Sequence, residues 1–405
     1  MLESAREQTD SLFVLPQDVV FPTDLFPLLL LVAHPQVGDF GLEVKDAEGL
    51  RALRQVFGQQ WEDADEDSLA YRLGKALAKR GYLVARDSLP PPQLSFDAPG
   101  IYRLQHASLL FRSESSAVIT DPQFAFATEQ SWIGQHSLPA VDAILISHSH
   151  GDHFCPVSLM HFPRDTPIVV PRVAARSMLA EDMAHLLREA GFTKVIEAGW
   201  HESLTFGDIA VRTYPFYGEQ PWITFGSPVE AFRNVGNTYV VQSAGTTSWF
   251  LIDSGHEHGH SMSDVCREVV ETHGRIDLVL SNLRIFRWHS GQIDGTGRYL
   301  FCFPLDKLAA PSTWPDDQLM TFTPAEMRHF LRQAQPTYFL PYAHWWQPRE
   351  AGPHVVDEVR NEDEMLQAVR GDGADALRCT ELLRWNVGSR ARIEGSRITI
   401  QQPSR

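Results

Sequence analysis

The feature that most constrains this chain is the junction between an apolar strand and a string of metal-ligating side chains. Ile144, Leu145, Ile146 and Ser147 read as the end of a buried strand, and His148, Ser149, His150, Gly151, Asp152 and His153 follow at once. His148 and His150 are two apart, so in extended backbone they point to the same side. Gly151 lets the chain turn sharply, after which Asp152 and His153 can face a second metal. One short loop can thus feed two ions, provided that the fold holds the end of that strand in a pocket lined by further donors. A solvated histidine-rich turn is the bland alternative.

The rest of the composition suits such a protein. The 405 residues are 43% hydrophobic and 21% charged, an ordinary globular balance that can bury a sizeable core. Thirty-five basic against 51 acidic residues give a formal net charge of −16, a surface that repels phosphate backbones, so nucleic acid is not expected as a partner. Four cysteines without regular spacing (Cys155, Cys266, Cys302, Cys379) make no disulfide framework. The first residues, MLESAREQTD, are polar and unlike a signal peptide. The apolar stretch Leu25 to Ala33 is too short to span a bilayer. The expectation is a soluble cytoplasmic protein with no membrane partner.

Two regions differ in texture. Residues 1–95 open with apolar stretches (Leu12 to Leu15, Leu25 to Val32). Two helical segments follow: Ala47 to Phe57, and one capped by Asp67 and Ser68 that carries Leu69, Leu73 and Leu77 on one face until Gly81. Tyr82 to Val84 reads as a short strand, and Pro90, Pro91 and Pro92 make a stiff linker. This is expected to be a small, mainly helical N-terminal domain, either winged-helix-like and suited to partner docking or a cap over the second domain. From residue 96 to 405 strands dominate: Tyr102 to Phe111, Ser116 to Thr120, Ala143 to Ser147, Ile168 to Pro171, Lys194 to Glu197, Ile209 to Tyr214, Thr238 to Gln242, Ser248 to Asp253 and Leu278 to Ser281. Helical stretches such as Val173 to Gly191 and Ser263 to His273 lie between them. Two runs of strands with interspersed helices imply sheet packed on sheet with helices outside.

The His-x-His-x-Asp-His string resembles that of the metallo-β-lactamase superfamily, over about residues 100 to 350. Arg103 to Leu110, with His106, followed by Ile119, Thr120, Asp121 and Pro122, is similar to the opening strands of its lactonase-like branch, where the Asp-Pro corner sits under the metal loop. His106 is read as a core or supporting histidine. The resemblance implies an α/β fold, a four-layer αββα sandwich, and three further ligands at strand ends. Asp253, after Leu251 and Ile252 and before Ser254 and Gly255, fits the bridging aspartate. His344, after Pro341, Tyr342 and Ala343, fits the last histidine. The remaining ligand is a histidine in the hydrolases, after the strand that follows a Gly-Asp turn. Here Gly207 and Asp208 make the turn and Ile209 to Tyr214 the strand, but no histidine lies between His201 and His256. Glu219 is the candidate instead; a surface glutamate with the ligand lost is the alternative.

Four histidines and three carboxylates shift the expected preference from zinc toward iron or manganese. The combination resembles the di-iron β-hydroxylase family of the chloramphenicol pathway. That family has this fold and loop, a glutamate in place of the histidine, and a carrier-bound amino acid as substrate. The resemblance implies that His148, His150 and Glu219 hold one iron, Asp152, His153 and His344 the other, and that Asp253 bridges them. It also implies O2 as cosubstrate, an electron donor, a small-molecule or carrier-protein-tethered substrate, and a place in natural product biosynthesis. The N-terminal region is much shorter than in that family. Arg284, His289 and Trp345, with Arg287, Trp288 and Trp346, are candidate pocket residues, an arginine being suited to a carboxylate. The string His256, Glu257, His258, Gly259, His260 reads as a polar loop near the pocket rim or as a second metal site. A dinuclear zinc or manganese hydrolase of a lactone, phosphodiester or amide is the competing reading, and a non-enzymatic accessory protein a third.

Overall fold

The central strands of this chain are apolar on both faces, and each face belongs to a different core. In Leu109–Arg112, Leu109 and Phe111 join one apolar cluster and Leu110 another, as a period of two requires of a strand buried on both sides. The split recurs in Ala117–Thr120, with Val118 opposed to Ala117 and Ile119. In Leu278–Ser281, Leu278 and Leu280 oppose Val279, and in Tyr338–Pro341, Tyr338 and Leu340 oppose Phe339.

A computed structural model describes residues 13–16, 28–32, 40–57, 61–80, 95–124, 138–174, 180–218, 233–257, 259–282, 321–343, 362–395 and 397–401. Its first strands, β1 (Phe13–Pro16), β2 (Leu28–Val32) and β3 (Phe40–Val44), form an antiparallel sheet of their own. Helices α1 (Ala47–Phe57) and α2 (Leu69–Lys79) follow. The strands β4 (Gly100–Arg103), β5 (Leu109–Arg112), β6 (Ala117–Thr120), β7 (Ala143–Leu145), β8 (Ile168–Pro171) and β9 (Val195–Ala198) make the first large sheet. A C-terminal hairpin, β19 (Arg390–Glu394) and β20 (Arg397–Gln401), extends it in the order β20-β19-β4-β5-β6-β7-β8-β9.

The second sheet runs β10 (Ser203–Phe206), β11 (Ile209–Pro215), β12 (Asn237–Ser243), β13 (Thr246–Phe250), β16 (Leu278–Ser281), β17 (Tyr338–Pro341) and β18 (Glu381–Leu382), in that order. A small ribbon, β14 (His256–Glu257) with β15 (His260–Ser261), stands apart. Leu109, Phe111 and Val118 of the first sheet share a core with Val211, Tyr239, Val241 and Leu280 of the second. The outer face of the first sheet is covered by α3 (Pro156–Leu159) and α4 (Met183–Glu189). The outer face of the second is covered by α5 (Met262–His273), α6 (Pro324–Ala334) and α7 (Glu362–Arg370). This is the four-layer αββα sandwich. Strands β6, β7 and β8 are parallel, as are β13, β16 and β17, so their carboxyl ends open in common directions and can present loops together.

Local signals placed most elements, and the departures have local causes. α1 and α2 match the expected helices, and Ser68 caps α2 by accepting from the Tyr71 amide. The N-terminal region adds a three-stranded sheet to those helices. Tyr102 to Phe111 is not one strand but the hairpin β4–β5. The chain reverses over Leu104 to Ser108, closed by Leu104 N–H to Ser108 O at 3.0 Å, with His106 at φ 50°. Of the long helix expected from Val173 to Gly191, the described part is α4, which begins after an Asp182 cap. Strand β13 ends at Phe250, before Asp253, which has φ 52° and cannot continue a strand. Tyr82 to Val84 lies outside the described residues. No helix among the described residues is long and apolar enough to cross a membrane.

Leu50 and Leu53 of α1 sit in the same apolar cluster as Ile119, Ile144 and Leu159 of the sandwich. With Leu53 only 1% exposed, Leu53→Ala is expected to lower the stability of one cooperative transition by about 2–5 kcal/mol. Calorimetry checks this: two transitions, of which only one moves, would show that the N-terminal region folds independently.

Candidate metal centre

β7 ends at Leu145, and two more buried residues carry the chain to the histidine loop. Below it lies Asp121, fully buried just past β6. Its Oδ1 accepts the Ser147 amide at 2.7 Å and its Oδ2 accepts the Ser147 hydroxyl at 2.6 Å. Oδ2 also lies 3.0 Å from His153 Nδ1. A carboxylate only accepts, so His153 donates through Nδ1 and presents Nε2. The same logic passes one atom further. Ser147 gives its hydrogen to Asp121, so it accepts from His148 Nδ1 at 2.9 Å, and His148 also presents Nε2. Asp121 thereby sets the orientation of two rings.

Both Nε2 atoms face Asp253. His153 Nε2 is 2.7 Å and His148 Nε2 4.0 Å from Asp253 Oδ2, and His153 Nε2 is 3.6 Å from Asp152 Oδ2. The donor atoms of His148, His153 and Asp253 all lie within 4.8 Å of one another, as do those of His106, Asp152 and His153. The His150 ring meets His148 edge-on, with centroids 4.4 Å apart, and its Nε2 lies 3.4 Å from the amide nitrogen of buried Asn234. His106 Nε2 contacts Asp152 Oδ2 at 3.0 Å. A nitrogen that donates there would orient Asp152, as a supporting histidine does.

Electrostatics agree with a cation site. Burial holds His148 well below the usual imidazole range. Burial would do the same to His153, but Asp152 and Asp253 outweigh it and hold its pKa well above that range. Burial would raise Asp152, but His153 and the His106 hydrogen bond keep it well below the carboxylate range. A proton on His153 thus balances the surrounding carboxylates, the part a metal cation plays on binding. Nitrogen and carboxylate donors together, their far atoms held by Asp121, His106 and Asn282, fit a metal pair.

Asn282 is a residue that sequence reasoning missed. It follows β16, accepts the Asp253 amide through Oδ1 at 3.2 Å and donates Nδ2 to Asp253 Oδ1 at 2.5 Å, leaving Oδ2 for the histidines. Its only signal was its place at the carboxyl end of a central strand. Asn234 was missed likewise. Phe216 stacks on His148, with centroids 5.1 Å apart.

Glu219, His344, Arg284, Arg287, Trp288, His289, Trp345 and Trp346 lie outside the described residues, but the chain can be followed to the threshold of two of them. A Cβ on Gly218 would lie 3.0 Å from both Asp253 O and Gly255 N, so the corner before Glu219 is pressed against the Asp253 turn. Gly255 N–H also donates to Tyr217 O at 2.6 Å. Tyr342 and Ala343 are buried, and the Tyr342 amide donates to Ser281 O at 3.0 Å; His344 comes next. His201, which precedes the Gly207–Asp208 turn, is half-exposed and paired with Glu268 at 2.8 Å. Of the His256 to His260 string, His256–Glu257 and His260 fall in the β14–β15 ribbon and His258 lies outside the described residues; among the described residues no cluster of metal donors forms there.

Residues 117–345, more than half of the chain, match the family described as the beta-lactamase superfamily domain. The chain belongs to that superfamily. Within it, the chain is 25% identical over 209 residues to the 4-amino-L-phenylalanyl-[CmlP-peptidyl-carrier-protein] 3-hydroxylase of Streptomyces venezuelae, a match covering 48% of this chain and 39% of that one. The chain therefore spans about two fifths of the length of the curated relative it matches. Among solved structures it is similar to CmlA, a diiron β-hydroxylase from Streptomyces venezuelae, with a TM-score of 0.59 and 19% identity over 88% of this chain and 68% of that one. A mutant of the CmlA β-hydroxylase gives a TM-score of 0.58 and 18% identity over 89% and 68%. At that identity the two structures speak for the superfamily fold.

Two outcomes follow from the Asp121 network. Asp121→Asn, which cannot accept from both Ser147 donors and His153 as a carboxylate does, is expected to weaken metal binding roughly 10–100-fold; chelator competition measures this, and unchanged affinity would remove Asp121's orienting role. Metal uptake must also displace the His153 proton. Because that pKa is raised, affinity should rise with pH up to the raised pKa, with about one proton released on that account. Titration calorimetry in buffers of different ionisation enthalpy reads the release, and none at neutral pH would contradict a protonated His153.

Proposed function

We propose that this chain is an O2-dependent di-iron oxygenase of the hydroxylase type. Its substrate is an amino acid, a peptide or an aminoacyl group tethered to a carrier protein, in natural product biosynthesis. In this reading His148, His150 and Glu219 hold one metal, Asp152, His153 and His344 the other, and Asp253 lies between them. The observation that carries it is the Gly218 corner: it abuts the Asp253 turn, and the residue that follows is a glutamate where histidine-rich hydrolytic sites place a histidine. The match to a carrier-protein-dependent hydroxylase supports the same choice.

Bound iron would supply redox chemistry toward O2 that zinc lacks, with electrons from an external donor. The protein's part is positional and electrostatic. Asp253, tied back by Asn282, turns one oxygen toward both His148 and His153. Asp121 and His106 fix the rings and carboxylate of the loop. Three carboxylates in the donor set offset much of the charge of two divalent ions, which favours the oxidised state over the electrophilic role of a hydrolytic zinc pair. Residues 1–95 are read as a domain for partner docking and 96–405 as the catalytic domain, acting in the cytoplasm where a reductase can supply electrons.

The test is to load the protein with ferrous iron, reduce it without oxygen, admit O2 and follow the visible spectrum, with His148→Ala as control. Oxygen uptake that accelerates with aminoacyl substrate is expected. Inertness to O2, together with lactone or phosphodiester hydrolysis by the zinc form, would decide for a dinuclear hydrolase. Asp253→Ala is expected to lose both ions together; elemental analysis showing one ion kept at full occupancy would exclude a bridging role.

A further inference from the structure

Beside the metal centre lies a charged pair that the proposed chemistry does not use. Arg233 Nη1 is 2.7 Å from Glu257 Oε1, and the two side chains are 14% and 1% exposed. The guanidinium lies over the rings of Trp200 and Tyr217, at 5.6 and 5.9 Å from their centroids. Those rings meet edge-on, with centroids 5.7 Å apart, and Tyr217 also stacks on His260 at 5.0 Å. Removing two charges from water is costly, so a pair in this position adds little net stability over an apolar replacement. What it supplies is direction: a planar guanidinium in contact with two rings and a carboxylate admits few geometries.

The pair joins segments that all serve the metal site. Arg233 precedes Asn234, which touches His150. Gly236, in the same segment, bridges to His148 and packs so tightly under Phe216 that a Cβ there would lie 2.7 Å from its ring. Glu257 is four residues past Asp253. Burial pulls its pKa up and Arg233 offsets part of that, while Arg233 reaches the corner before residue 219 through the Tyr217 ring. One ion pair therefore ties the support of the histidine loop, the Asp253 turn and the corner leading to Glu219.

We infer that Arg233 and Glu257 are a positioning pair that seats the Tyr217–Gly218 corner against the Asp253 turn and so sets the approach of residue 219 to the metals. This rests on Glu219 being a ligand. The pair touches neither metal nor substrate in this role and acts only through the corner.

Cobalt(II) binding tests it without turnover. In protein loaded with cobalt, Glu257→Gln and Arg233→Met are each expected to change the d–d absorption bands and to weaken one of the two sites about tenfold. Arg233→Lys, which keeps the charge but not the planar stack, should fall between them and the parent. In a Glu219→Ala background, Glu257→Gln should add less than about threefold, because both changes act through one ligand. A single variant strands a buried charge and can fail to fold. The Arg233→Met, Glu257→Met double variant removes both charges, and the same band change is expected in it. Parent-like bands and affinities in a folded pair variant, even with a lowered melting temperature, would leave the pair merely structural and overturn the inference. If those variants are parent-like while Glu219→Ala alters the bands, only the positioning role falls. If Glu219→Ala itself leaves the bands unaltered, the ligand reading fails first and the positioning role with it.

Discussion

Asp121 is the buried anion on which the arrangement of this centre depends. It accepts from the Ser147 amide, the Ser147 hydroxyl and His153, and through Ser147 it reaches His148. An unpaired carboxylate at this depth would be very costly. With its acceptors filled it becomes a rigid node that decides which ring nitrogens point away from the protein core. The chemistry attributed to His148 and His153 is therefore fixed by a residue that need not touch a metal.

Backbone strain is concentrated around the same node. Seven described residues other than glycine have positive φ, and four of them, His106, Asp121, Asp253 and Ala343, flank the donor cluster. Each such conformation costs on the order of 1–3 kcal/mol. They occur where the chain leaves a strand or hairpin and must turn a side chain inward at once. The sandwich can sustain this because the strand ends are anchored by cores on both faces, with Leu145, Phe250 and Leu340 among their inner residues.

Charge is handled by pairing at increasing distance from the donors. His153 is balanced by Asp152 and Asp253, Asp253 is held by Asn282, Asp152 by His106, and farther out Glu257 by Arg233. Each layer restricts the one inside it. The acidic balance of the cluster favours cation binding, and the hydrogen bonds around it restrict its geometry.

Resemblance to the superfamily supplied the Asp-Pro corner and the place of Asp253; the linear chain by itself determined the histidine loop at the end of an apolar strand, helices α1, α2 and α5, and two runs of strands with helices outside. Those are local patterns of period, cap and turn, and local physics suffices to read them. The hairpin at His106 was read as a continuous strand because alternation does not reveal a tight reversal. Asn282 showed only its place at the end of a strand and Glu257 only its place in a polar string, while Asn234 and Arg233 carried no local signal. Their roles come from contacts such as Asn282 with Asp253, 29 positions apart, and Asn234 with His150, 84 apart. Only the stacking of the two sheets brings such residues together, since burial of both inner faces against each other is what aligns the strand ends. Tertiary structure alone decided which nitrogen of each histidine faces the site, because that choice belongs to the buried partner on the ring's other side.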